Sequence, residues 1–140
     1  MGHGAPPREH WHHTIPLGMH GDGGSFSHHD SLFVVSWNTL ISGEVGGGFS
    51  ILFLFTILRK ADLTSETWPE LWRVFGWSLN HLLTGITPAT DWNKLQRPGG
   101  EQFIAENWRA ALIQIRGDWE FMSQVIGMPW HNENLNMCWL

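Results

Sequence analysis

The run VGGGFSILFLFTIL, bounded by Glu44 and Arg59, is the most apolar part of the sequence and places the strongest limit on its fold. It falls short of the roughly 20 residues that a membrane-spanning helix needs. Its Ile, Phe and Thr content suits extended chain, so residues 49–61, FSILFLFTILRKA, predict a buried β-strand. Apolar residues on both faces put that strand at the centre of a sheet, with other strands on either side.

The flanking sequence supplies those strands. TIPLGMHGD (14–22) is an apolar stretch leading into Gly-Asp-Gly-Gly, a strand that enters a turn tolerant of positive φ. DSLFVVSWNTLI (30–41) is rich in Val, Phe, Trp and Thr and reads as the second strand. Gly-rich connections between consecutive strands predict an antiparallel meander. A helix follows over 67–84: Thr67 and Glu70 have capping-box spacing, Pro69 sits in the first turn, and Leu71, Val74, Phe75, Leu79, Leu82 and Leu83 recur at helical intervals. Gly85 and Pro88 end it. Residues 86–100 read as loop, EQFIAENW (101–108) as a short helix, AALIQIR (110–116) as a fourth strand, and WEFMSQVI (119–126) as the start of a further helix.

The 140 residues are 42% hydrophobic and 15% charged, well away from the signature of a disordered chain. One domain over 14–140 is expected, preceded by a flexible His-rich arm over 1–13. The single cysteine, Cys138, excludes an internal disulfide framework. The opening MGHGAPPREHWHH has neither the basic nor the apolar region of a secretory signal, so the expected location is intracellular, with no membrane partner. A formal charge of −5 argues against generic nucleic-acid binding, which needs clustered Lys and Arg.

Chemistry centres on two acids. Asp22 follows the first strand and Asp118 follows the fourth, each in a Gly-Asp pair. A helical crossover returns the fourth strand parallel to the first, which would bring both carboxylates to one edge of the sheet. There they could hold Mg²⁺ or Mn²⁺ for phosphodiester chemistry. Without a cation they would repel, and at least one would titrate above its ordinary value. The plainer alternative is that Asp22 is a turn residue and Asp118 caps the next helix.

Weaker candidates surround the pair. His20, His28, His29 and Asp30 crowd the first acid, and His20 would share a strand face with Asp22, although exposed turn residues are the simpler reading. His3, His10, His12 and His13 in the arm suit only adventitious metal. Arg116 is a candidate phosphate contact. Cys138, near His131, would bind Zn²⁺ only with further ligands from beyond Leu140. Trp68, Trp72, Trp77 and Trp108 are read as core rather than as base-stacking platforms.

Three strands, a helix, a fourth strand and a helix, with acids ending strands one and four, resemble the ribonuclease-H-like fold of DDE-type transposases and retroviral-type integrases. GMHGDGGSFSHHDSLFVVSWN, RGDWEF and NMCWL resemble multicopy, mobile-element-derived proteins of unicellular algae, over roughly 14–140. The resemblance implies an α/β (α+β) fold with a mixed sheet. It also implies Asp22 and Asp118 as catalytic Mg²⁺ ligands, DNA as partner and a nuclear location. The family's third acid lies on a later helix, and its Cys-x-x-Cys pair continues past Cys138, while Glu120 and Glu133 come too early for that acid. The implied protein is a fragment or degenerate copy, inactive alone. Two other classes remain open, a non-catalytic binding or scaffold domain and a small His-rich metal-binding protein.

Overall fold

The computed structural model describes residues 7–28, 30–41 and 52–128. Its strands are β1 (Thr14–Ser27), β2 (Asp30–Thr39), β3 (Phe53–Arg59) and β4 (Arg109–Gly117), and its helices are α1 (Thr67–Thr84) and α2 (Trp119–Gln124). Short 3-10 helices cover Arg8–His13, Lys60–Asp62 and Ala105–Asn107. Arg8–His13, assigned above to a flexible arm, is therefore a 3-10 helix, joined to β1 where the Thr14 hydroxyl donates to the His10 carbonyl at 2.7 Å.

The sheet order is β3-β2-β1-β4. β1 pairs antiparallel with β2, β2 antiparallel with β3, and β4 parallel with β1. The chain is thus an α/β protein with a four-stranded mixed sheet. A parallel pair cannot be joined by a tight turn, and α1 lies in the connection that carries the chain from β3 back to the far side of β1.

α1 covers one face of this sheet. Trp68, Trp72 and Phe75 lie on one stripe of the helix and pack against a buried cluster of Met19, Phe33, Val35, Phe121 and Val125. Trp68 meets Phe33 edge-on at 5.5 Å between ring centroids, and Phe55 meets Phe75 at 4.7 Å. An open apolar groove of about 330 Å³, lined in part by Trp72, Phe75, Leu112 and Ile115, leaves the stripe half-buried. Left-handed Gly85, with φ 71°, ends the helix as expected.

The structure corrects five local expectations. β3 is an edge strand, and Phe53, Leu54 and Ile57 are exposed, because a meander whose first strand takes β4 on its other side leaves the third strand outermost. Gly21-Asp22-Gly23-Gly24 is strand, paired with β2 through Asp22↔Val34 and Gly23↔Phe33, and is not a turn. The Thr67–Glu70 capping box does not form: Thr67 Oγ1 accepts the Thr64 N–H, and Glu70 pairs with Arg73 at 2.6 Å. Residues 101–108 hold only the three-residue 3-10 turn, since Ala105, Glu106 and Asn107 all take positive φ. Trp108 is 41% exposed and lies against His13, outside the core, because it precedes β4 in that same loop.

These burials rank the aromatic side chains. Phe121 is fully buried, so Phe121→Ala should cost about 3–5 kcal/mol, whereas half-buried Phe75→Ala should cost less than about 3 kcal/mol. Urea unfolding of the two variants beside wild type measures both, and equal losses would contradict the packing described.

Candidate carboxylate site at the ends of β1 and β4

Gly21 and Gly117 are register partners on the parallel strands β1 and β4. A Cβ at Gly21 would lie 2.1 Å from the Phe121 ring, and one at Gly117 would lie 2.6 Å from both Phe121 and the Gly21 carbonyl. Both glycines therefore leave room for Phe121, which reaches back under the strand ends from the first turn of α2. Each is followed by its aspartate, so the strand pairing also aligns Asp22 with Asp118.

Asp118 does two local jobs. It is the N-cap of α2, with Oδ1 accepting the Phe121 N–H at 2.7 Å. Its Oδ2 accepts the Gly23 N–H at 3.0 Å, which ties β1 to the start of α2. Asp22 is exposed, and its carboxyl is one of the groups that act on the Asp118 carboxyl. The two acids expected to converge do so, and the helix-cap role expected of Asp118 is present as well.

Two further charged groups complete the cluster. Lys60, the first residue after β3, places Nζ 2.6 Å from Glu120 Oε2 and 4.4 Å from the centroid of the Phe33 ring. A Cβ on Gly23 would come within 2.8 Å of that Glu120 oxygen and 3.2 Å of Lys60 Nζ, so the pair sits directly over the β1 backbone. Sequence reasoning missed Lys60 altogether. The available signal was its position as the first ammonium after a long apolar strand.

Burial pushes the Asp118 carboxyl up. The N–H groups of Phe121 and Gly23, the Asp22 carboxyl and the Lys60 ammonium pull it down, and the result lies below the ordinary value of 3.8. Asp118 is therefore not the raised member of a repelling pair, because backbone donors and an ammonium already stabilise its charged form.

The other candidates lie apart from this cluster. His20 is half-buried opposite Arg116 in the β1–β4 register and shares a face of β1 with Asp22. Arg116 donates to Asn38 Oδ1 at 3.3 Å, which holds it against the sheet. Asp30 is engaged by Arg59 at 2.5 Å, and His28 is exposed. His3, His29, His131, Glu133 and Cys138 lie outside the described residues.

As a donor set, two carboxylates offer hard oxygens and suit a Mg²⁺ ion that keeps several of its own waters. They do not form a full protein cage: no group of three or more His, Cys, Asp or Glu side chains arranged for a metal occurs among the described residues. No helix among those residues is long and apolar enough to cross a membrane.

The lowered Asp118 value has a consequence for stability. A carboxyl whose folded-state value is depressed stabilises the fold above its unfolded value, and that contribution is lost as pH falls through the folded value. Wild type should therefore lose stability as pH drops from about 3.8 downward, and Asp118→Asn should lose less over that window while starting lower at pH 7. Urea unfolding at a series of pH values measures both slopes, and parallel curves would show that Asp118 is not linked to folding. No protein-family model, curated protein or solved structure matches this chain.

Proposed function

We propose that this chain is a ribonuclease-H-like domain related to DDE-type transposases, in which Asp22 and Asp118 hold a divalent cation for cutting or joining DNA strands. One observation carries the reading: parallel pairing of β1 with β4, through Gly21 and Gly117, brings Asp22 within β1 beside Asp118 just past the end of β4, although the two are distant in sequence. Strand order and the single crossover helix agree with it. Mg²⁺ held there would polarise a phosphodiester and lower the pKa of a bound water. Asp22 is exposed, and Asp118 is held in place by its two backbone N–H donors. Arg116 and His20, register partners on β4 and β1, are the candidates for phosphate contact.

By itself the chain should have little activity. Two carboxylates are a partial cage, and a net charge of −5 gives weak hold on DNA. A nuclear location follows from this reading.

A second reading draws on Asp118 itself, both of whose oxygens are already engaged by backbone N–H groups. On that reading the acids are structural and the protein is a non-catalytic binding or scaffold domain.

Titration with Mn²⁺, Mg²⁺ and Zn²⁺ separates these. Under the proposal wild type binds Mn²⁺, and both Asp22→Ala and Asp118→Ala lose that binding. Absence of binding in wild type supports the scaffold reading, and Zn²⁺ binding that survives both substitutions points to the histidines instead. On labelled DNA, Mg²⁺-dependent cleavage should be weak or absent, and robust cleavage abolished by Asp22→Asn would show the site to be complete.

A further inference from the structure

We infer that the apolar groove between α1 and β4 is the docking site of this chain's own C-terminal segment, with Leu135, Met137 and Trp139 as the side chains that fill it. The inference is independent of any cation at Asp22 and Asp118.

The groove holds about 330 Å³, and three parts of the fold wall it: Trp72, Phe75 and Leu79 from α1, Leu112 and Ile115 from β4, and Ile126 just beyond α2. These side chains are apolar, and the indole N–H of Trp72 is already donated to the Val125 carbonyl at 3.4 Å. An occupant therefore gains by burying apolar surface, and a charged one would be stranded. β4 is the outermost strand on this side of the sheet, with Ile113 and Ile115 66% and 41% exposed, so extended chain can lie along it.

α2 delivers the chain to this place. Val125 and Ile126 line the groove, left-handed Gly127 (φ 79°) then turns the backbone, and the Met128 N–H donates back to the Met122 carbonyl at 3.0 Å. Residues 129–140, PWHNENLNMCWL, follow and lie outside the described residues. Extended chain from Ile126 to Leu135 can reach about 30 Å, the length of β4, so no part of the groove is out of range. From Asn134 to Leu140 there is no charge, and Leu135, Met137 and Trp139 alternate with Asn134, Asn136 and Cys138. That two-residue period gives an extended segment one apolar face for the groove and one polar face for water. Tethering holds the segment at an effective concentration of about millimolar, which a free ligand or a second copy would have to match.

The single cysteine makes the test direct. A nitroxide on Cys138 of the full chain should leave the methyl resonances of Leu79, Leu112 and Ile115 about threefold or more weaker than those of Leu54 and Ile57, which lie on β3 at the far edge of the sheet. Gly76 also lines the groove, and a Cβ there would have nothing within 4 Å, so Gly76→Phe grows a ring into the groove and should abolish that contrast. Trp139→Ser combined with Met137→Ser should abolish it too, and keeps the inference open to refutation should the Gly76 variant fail to fold. Equal broadening of the two groups of methyls overturns the inference, as does a contrast that survives the double substitution. Isotope-labelled chain mixed with nitroxide-bearing chain should show no broadening in the groove. Broadening there would give the groove to a second copy and would also overturn it.

Discussion

The contact on which this site depends is apolar. Phe121 is buried beneath the paired glycines of β1 and β4, in space that any side chain at Gly21 or Gly117 would fill. Its ring joins the cluster of Met19, Phe33, Val35 and Val125, so the first turn of α2 is anchored to the same core that receives α1. Once Phe121 is seated, its own N–H meets Asp118 Oδ1, and Asp118 Oδ2 is left to reach the Gly23 N–H. The acidic pair is therefore a consequence of how a phenyl ring is accommodated where β4 ends beside β1. A Gly-Asp pair occurs twice because each strand needs the glycine below and carries the acid above.

Much of this architecture was legible in the sequence. The α1 boundaries follow from the spacing of Leu71 to Leu83 and from Gly85, and all four strand segments follow from composition and alternation. The pairing of Asp22 with Asp118 was legible too, because a helix between the third and fourth strands forces a crossover and so favours parallel return. What the residues did not reveal was lateral position. An apolar run such as FLFTILR reads the same at a sheet's centre or its edge, since local pattern records how much side chain is apolar and not which strand lies beside it.

The Gly21–Gly24 segment was misread for a related reason. Glycine signals a turn when positive φ is the need, yet Gly21 and Gly23 serve close approach, and none of the glycines in this segment has positive φ. The Lys60–Glu120 contact was hidden more thoroughly. It joins residues 60 positions apart through a 3-10 turn and the start of a short helix, and neither has a periodic pattern that fixes side-chain direction. Glu120 was set aside as lying too close to Asp118 for the role of a third acid, and the structure gives it a different partner instead of a later place.

The two aspartates differ in what the fold asks of them. Asp118 caps α2, ties it to β1 and has its charge stabilised by backbone donors, so folding alone explains an acid there. Asp22 has no such explanation. It occupies a strand position, where aspartate is disfavoured, and it is exposed with its carboxyl facing that of Asp118. Lys60 compensates Asp118 but is itself shared with Glu120. Under the proposed reading Asp22 serves a cation held with Asp118 rather than the needs of the sheet. That asymmetry makes Asp22, rather than Asp118, the position at which chemistry and folding separate.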